Sequence, residues 1–105
     1  MVWVILVLSG LFEVVWAYSM KMSEGFTKLT PSIVTVIFMI ISFSLLAYAM
    51  RTLPLGTAYT IWTGIGAIGS FIVGITILGE PATAMRILAA VLIVSGLVLM
   101  KMSSS

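Results

Sequence analysis

Long uncharged apolar runs, separated by short polar breaks, set the pattern of this chain. Between Met1 and Met20 only Glu13 carries a charged side chain, which predicts a helix over about residues 2–20. At a rise of ~1.5 Å per residue such a helix reaches across a hydrocarbon core ~30 Å thick. The stretch Lys21 to Thr30 gathers Lys21, Glu24, Gly25 and Lys28 into a polar turn, and Pro31 opens a second uncharged run, predicting a helix over about 31–50. Arg51-Thr52-Leu53-Pro54-Leu55-Gly56 is a connector, and the uncharged run that follows predicts a third helix over about 55–79. Glu80-Pro81 breaks the chain again. A fourth helix is predicted over about 83–101, with Arg86 near one end and Lys101 at the other, both long enough to snorkel to a membrane surface. The tail from Ser103 to Ser105 is expected to fray.

Composition turns these four runs into a class. Hydrophobic residues make up 62% of the 105 and charged residues 8%, more apolar surface than so short a chain can bury in itself, so lipid must solvate most of it. The expectation is an all-α integral membrane protein, a single domain of four transmembrane helices covering 1–105. A signal peptide is the competing reading of the first run, and Ala17-Tyr18-Ser19 resembles a cleavage site. It is rejected because no basic segment precedes the run and Glu13 interrupts it. The chain has no Cys and no His, which removes disulfides, the usual zinc ligands, thiol nucleophiles and the commonest general base. No cofactor is expected, and an enzyme is the least favoured class. The net charge of +2 comes from five basic residues scattered singly, so there is no basic stripe for nucleic acid.

With four crossings, Arg51 and Lys101 fall on one side of the membrane and Lys21, Lys28 and Arg86 on the other. The positive-inside rule hardly separates the two insertions, and dual topology is expected. No repeat of 20–50 residues is visible, so the chain carries no internal two-fold.

Glu13 carries the candidate chemistry. An ionisable group at mid-membrane depth is costly unless it faces a polar cavity or is neutralised, which makes it a functional residue by default. A protonated side chain that only bonds a neighbouring helix is the structural alternative. Helical spacing puts Leu6, Ser9, Gly10, Glu13, Trp16, Ala17 and Met20 on one face. Tyr59, Trp62, Gly66 and Gly69 form a similar face on the third helix, and Ser42 lies near mid-depth on the second. Trp16, Ser42, Tyr59 and Trp62 are expected to line a site around Glu13 and hydrogen-bond to it. A carboxylate, ring faces and directional polar groups together suit an organic cation. Trp3 fits an interfacial belt, and Ser42 is equally open to back-bonding within its own helix. One carboxyl cannot hold a proton and a cation at once, so a site that faces each side in turn would exchange them.

Gly64-Ile65-Gly66-Ala67-Ile68-Gly69 matches the dinucleotide fingerprint letter for letter, but it lies inside an uncharged helical run with no preceding strand and no acid some 20 residues on. The match is rejected. Gly10, Gly64, Gly66 and Gly69 are assigned instead to close helix packing or to a hinge, which sequence does not separate. Ala89, Ala90, Ser95 and Gly96 on the fourth helix form no strict small-xxx-small pair and mark a dimer face only weakly.

The segments Phe12-Glu13-Val14-Val15-Trp16-Ala17, Ser23-Glu24-Gly25-Phe26-Thr27 and Leu53-Pro54-Leu55-Gly56-Thr57-Ala58-Tyr59, with Ile61-Trp62-Thr63-Gly64, resemble the small multidrug resistance family over essentially the whole chain. Trp16, where the multidrug subtype usually has a small residue, and Lys101 at the close of the fourth helix make the chain similar to the guanidinium-exporting subtype. The resemblance implies an antiparallel homodimer in the bacterial inner membrane with one site between two copies of Glu13, exchanging guanidinium for protons. It also implies binding positions at Trp16, Ser42, Tyr59 and Trp62. Physics points the same way: alternating access usually needs two inverted halves, this chain supplies one, and guanidinium offers N–H pairs that a carboxylate accepts side by side. Export of hydrophobic quaternary ammonium cations is the alternative within transport. A membrane subunit that assembles a complex and moves nothing is the alternative outside it.

Overall fold

In a computed structural model, which describes residues 1–103, the uncharged runs form four α-helices. These are α1 (Val2–Met22), α2 (Leu29–Ala49), α3 (Leu55–Thr76) and α4 (Ala84–Met102). Each is long and apolar enough to cross a membrane.

The ends follow local chemistry. Proline at position 31 sits in the first turn of α2, where a missing N–H breaks no intrahelical bond, so the helix starts at Leu29 rather than at the proline. Between α1 and α2, the Ser23 hydroxyl accepts a hydrogen bond from the Phe26 N–H at 3.0 Å, and a Lys28–Glu24 pair at 3.4 Å closes the turn outside. The third helix stops at Thr76, three residues short of the expected Gly79. Ile77 and Leu78 both donate to the Val73 carbonyl, and Gly79 at φ +71° then turns the chain off the axis. The Thr83 hydroxyl caps α4 by accepting from the Arg86 N–H at 3.3 Å. Ser103 closes the last turn of α4, its N–H bonding to the Leu99 carbonyl at 3.0 Å, so fraying does not begin there. Ser104 and Ser105 lie outside the described residues.

The helices pack as a row in the order α2, α1, α3, α4, in a slab 42 × 35 × 17 Å. A square bundle would bring α4 back onto α2; here the backbone of α4 lies against α3 alone. The buried core is Leu6 of α1, Leu46 and Ala49 of α2, and Ala58, Ile61 and Trp62 of α3. It therefore sits at the end where α1 and α3 begin and α2 ends. Lys101 does not reach away freely. Its ammonium lies 4.7 Å above the Trp3 ring and clips the last turn of α4 to the first of α1. That contact also gives Trp3 a partner, where a membrane belt alone was expected.

Candidate functional site

Glu13 lies near the midpoint of α1, on the face turned to α3. The carboxyl fits there because α3 offers Gly66 opposite: a Cβ built on Gly66 would overlap the Glu13 carboxyl. The same logic repeats along the contact. A Cβ on Gly10 would strike Ile65, one on Gly69 would strike Val14, and one on Gly64 would strike Leu97 of α4. Helix α3 is continuous through all of its glycines. In this structure these four positions therefore serve close packing.

Ser42 is fully buried on α2 and does not back-bond within its own helix. Its hydroxyl donates to the Ser9 carbonyl on α1 at 2.7 Å, one turn before Glu13, and accepts from Trp62 Nε1 of α3 at 3.0 Å. The relay Trp62–Ser42–Ser9 thus ties three helices together through directed bonds in a medium where unpaired polar groups are expensive. Tyr59 packs on Trp62 with ring centroids 5.4 Å apart and is 51% exposed.

These bonds correct one expectation. The polar groups of Trp16, Ser42, Tyr59 and Trp62 were expected to hydrogen-bond to Glu13, and none does. Ser42 and Trp62 spend their donors on each other and on Ser9, because the carboxyl lies on the α1–α3 contact while the relay crosses from α2. Glu13 Oε1 and Trp16 Nε1 are both buried without a hydrogen-bond partner. No cation neutralises the acid either: the ion pairs among the described residues are Lys28–Glu24 and Arg86–Glu80, both outside this region. A buried carboxyl oxygen and a buried indole N–H, neither bonded within the chain, are an acceptor and a donor still free to bind.

One contributor was not legible in the sequence. Phe43 stands between Trp16 (6.1 Å, edge on) and Trp62 (5.6 Å, tilted), so that Trp16, Phe43, Trp62 and Tyr59 form an unbroken aromatic wall from α1 to α3. A phenylalanine inside a lipid-facing run carries no signal of its own. Only the rotation of α2 that buries Ser42 reveals it. Among the described residues, no group of three His, Cys, Asp or Glu side chains converges as a metal site.

Four spanning helices with a single unpaired mid-membrane acid, and an aromatic wall running from α1 to α3, define a small multi-pass membrane protein built around one charge. The chain belongs to the Small Multidrug Resistance protein family, whose sequence profile matches residues 1–104. It is 55% identical over 104 residues to a protein of Escherichia coli (strain K12) named "Guanidinium exporter". Proteins of the same name from Salmonella typhimurium and Citrobacter freundii are 54% identical over 104 residues. In each case the match covers 99% of both chains.

Proposed function

We propose that this protein exports guanidinium and small guanidinyl cations across the bacterial inner membrane in exchange for protons, with Glu13 holding either a proton or the cargo. It is then a secondary transporter and not an enzyme, driven by the proton gradient with no cofactor. The observation that carries this reading is the buried Glu13 oxygen without a partner, together with the equally unpartnered indole N–H of Trp16 one turn on along α1. The near full-length likeness to proteins named guanidinium exporters supports the choice of cargo. A planar cation with paired N–H donors matches a carboxylate better than a spherical one, and its flat face suits the wall of Trp16, Phe43, Trp62 and Tyr59.

The working unit in this proposal is an antiparallel homodimer of dually inserted chains. One chain supplies one aromatic wall and one acid; a partner related by a two-fold axis in the membrane plane supplies the opposite wall and the second Glu13. The row-like packing supports this. Helix α4 has no buried residue, and Gly96 on it faces open space with nothing within 4 Å of where a Cβ would lie. A small residue without a neighbour suits the close approach of another helix.

Cargo choice has a direct test. Purified protein in liposomes should move protons in response to guanidinium and hardly at all in response to tetraphenylphosphonium. The reverse preference would replace guanidinium with hydrophobic quaternary cations as the cargo class.

A further inference from the structure

A second carboxylate, Glu80, lies outside the site around Glu13 and borders a cavity of its own. Gly79, at φ +71°, turns the chain back over the end of α3, and the Glu80 N–H donates to the Gly74 carbonyl at 2.9 Å. Since Gly74 has no Cβ, the Glu80 carboxyl settles into the notch it leaves. Glu80 then borders a cavity of about 240 Å³ between the second halves of α1 and α3, also lined by Val14, Tyr18, Lys21, Ser70 and Gly74. Val14, which fills the notch at Gly69, closes the inner end of this cavity.

The electrostatics at Glu80 favour a cation. Peptide dipoles concentrate partial negative charge at the carboxyl end of α3, and a carboxylate placed there lacks the compensation it would find at a helix start. Its resident partner is the Arg86 side chain at 3.8 Å, with both groups roughly half exposed. That separation is beyond hydrogen-bond range and the pair is open to water, so it holds weakly. Arg86 also lies 5.7 Å from the centroid of the Phe71 ring. A carboxylate, a guanidinium group and an aromatic face thus already meet at this loop, the same three chemistries proposed for the transport site. Free guanidinium carries the head group of Arg86 without a side chain to immobilise, and can take its place.

We propose that Glu80 is an outer binding site for guanidinium cations at the mouth of the α1–α3 cleft. Arg86 covers it when cargo is absent, and the cavity lined by Tyr18 and Ser70 runs from it between α1 and α3 as far as Val14. The proposal rests on the export reading above. Lys21, which lines the same cavity, sets the local field against cations and makes the Glu80 charge the deciding one.

The test is the guanidinium dependence of proton flux in liposomes at low and high salt. Replacing Glu80 with Gln should raise KM about five-fold, the upper range for an exposed charge pair, with maximal flux largely kept. It should also flatten the rise of KM with salt that the unsubstituted protein shows. Glu80→Asp should restore both, and Arg86→Met should lower KM by removing the resident competitor. An unchanged KM and salt dependence in Glu80→Gln overturns the outer site while leaving the export reading intact. Absence of guanidinium-driven flux in the unsubstituted protein overturns both. Should Glu80→Gln give no folded protein, the Arg86 Nε–H resonance of the Glu13→Gln protein decides. It should shift on adding guanidinium, and a resonance that stays fixed overturns the proposal.

Discussion

At the scale of single residues, the account turns on the notch that Gly66 makes for Glu13. A methyl group there would meet the carboxyl and force it off the α1–α3 contact. Overpacking of this kind costs about 1–3 kcal/mol, and a misplaced binding group loses rate steeply, so Gly66→Ala should lower guanidinium-driven proton flux by about ten-fold or more. Flux in liposomes at matched protein content measures it; a variant as active as the parent would show that the notch does not position the acid. Glu13 itself was legible in the sequence, since one acid in an otherwise uncharged run has no apolar explanation. Helical spacing suggests Trp16, Tyr59 and Trp62 and depth suggests Ser42 as companions of Glu13, but neither gives their bonding partners. Period and depth put a hydroxyl in the right region and say nothing about which carbonyl it will meet, so the bond from Ser42 to Ser9 needed the relative rotation of α1 and α2.

At the scale of elements, the four helices could be read because the membrane leaves so few choices: every backbone polar group must be paired within its own segment. Their ends were less legible. Helix α3 ends at Thr76 through carbonyl bonds to Val73 and the positive φ of Gly79, whereas hydrophobicity continues unbroken to Gly79 and gives no hint of the turn. The packing glycines of α1 and α3 show the same limit. Sequence allows a hinge or a close contact, and only the neighbours at Ile65, Glu13, Val14 and Leu97 show that Gly10, Gly66, Gly69 and Gly64 are contact positions here. Helix α4 stands apart from the other three, touching the backbone of α3 alone and clipped to α1 through Lys101 and Trp3. An element held so lightly within one chain is suited to binding a second.

At the scale of the whole molecule, a slab only 17 Å thick with one acid and one aromatic wall has the form of half a transporter. The near balance of Arg51 and Lys101 against Lys21, Lys28 and Arg86 would let both insertions occur, and antiparallel pairing would then give the site two equivalent mouths. Reporters fused to the C-terminus should be found on both sides of the membrane in comparable amounts, and a population confined to one side would exclude the antiparallel dimer. The claim beneath all of this is that one carboxyl trades hydrogen ions for cargo. The most direct measurement loads liposomes with guanidinium and follows external pH as the cation leaves, for the unsubstituted protein and for Glu13→Gln. Counterflow in the first and none in the second, with the variant still folded and dimeric, is the expected result; counterflow that survives in Glu13→Gln would contradict it.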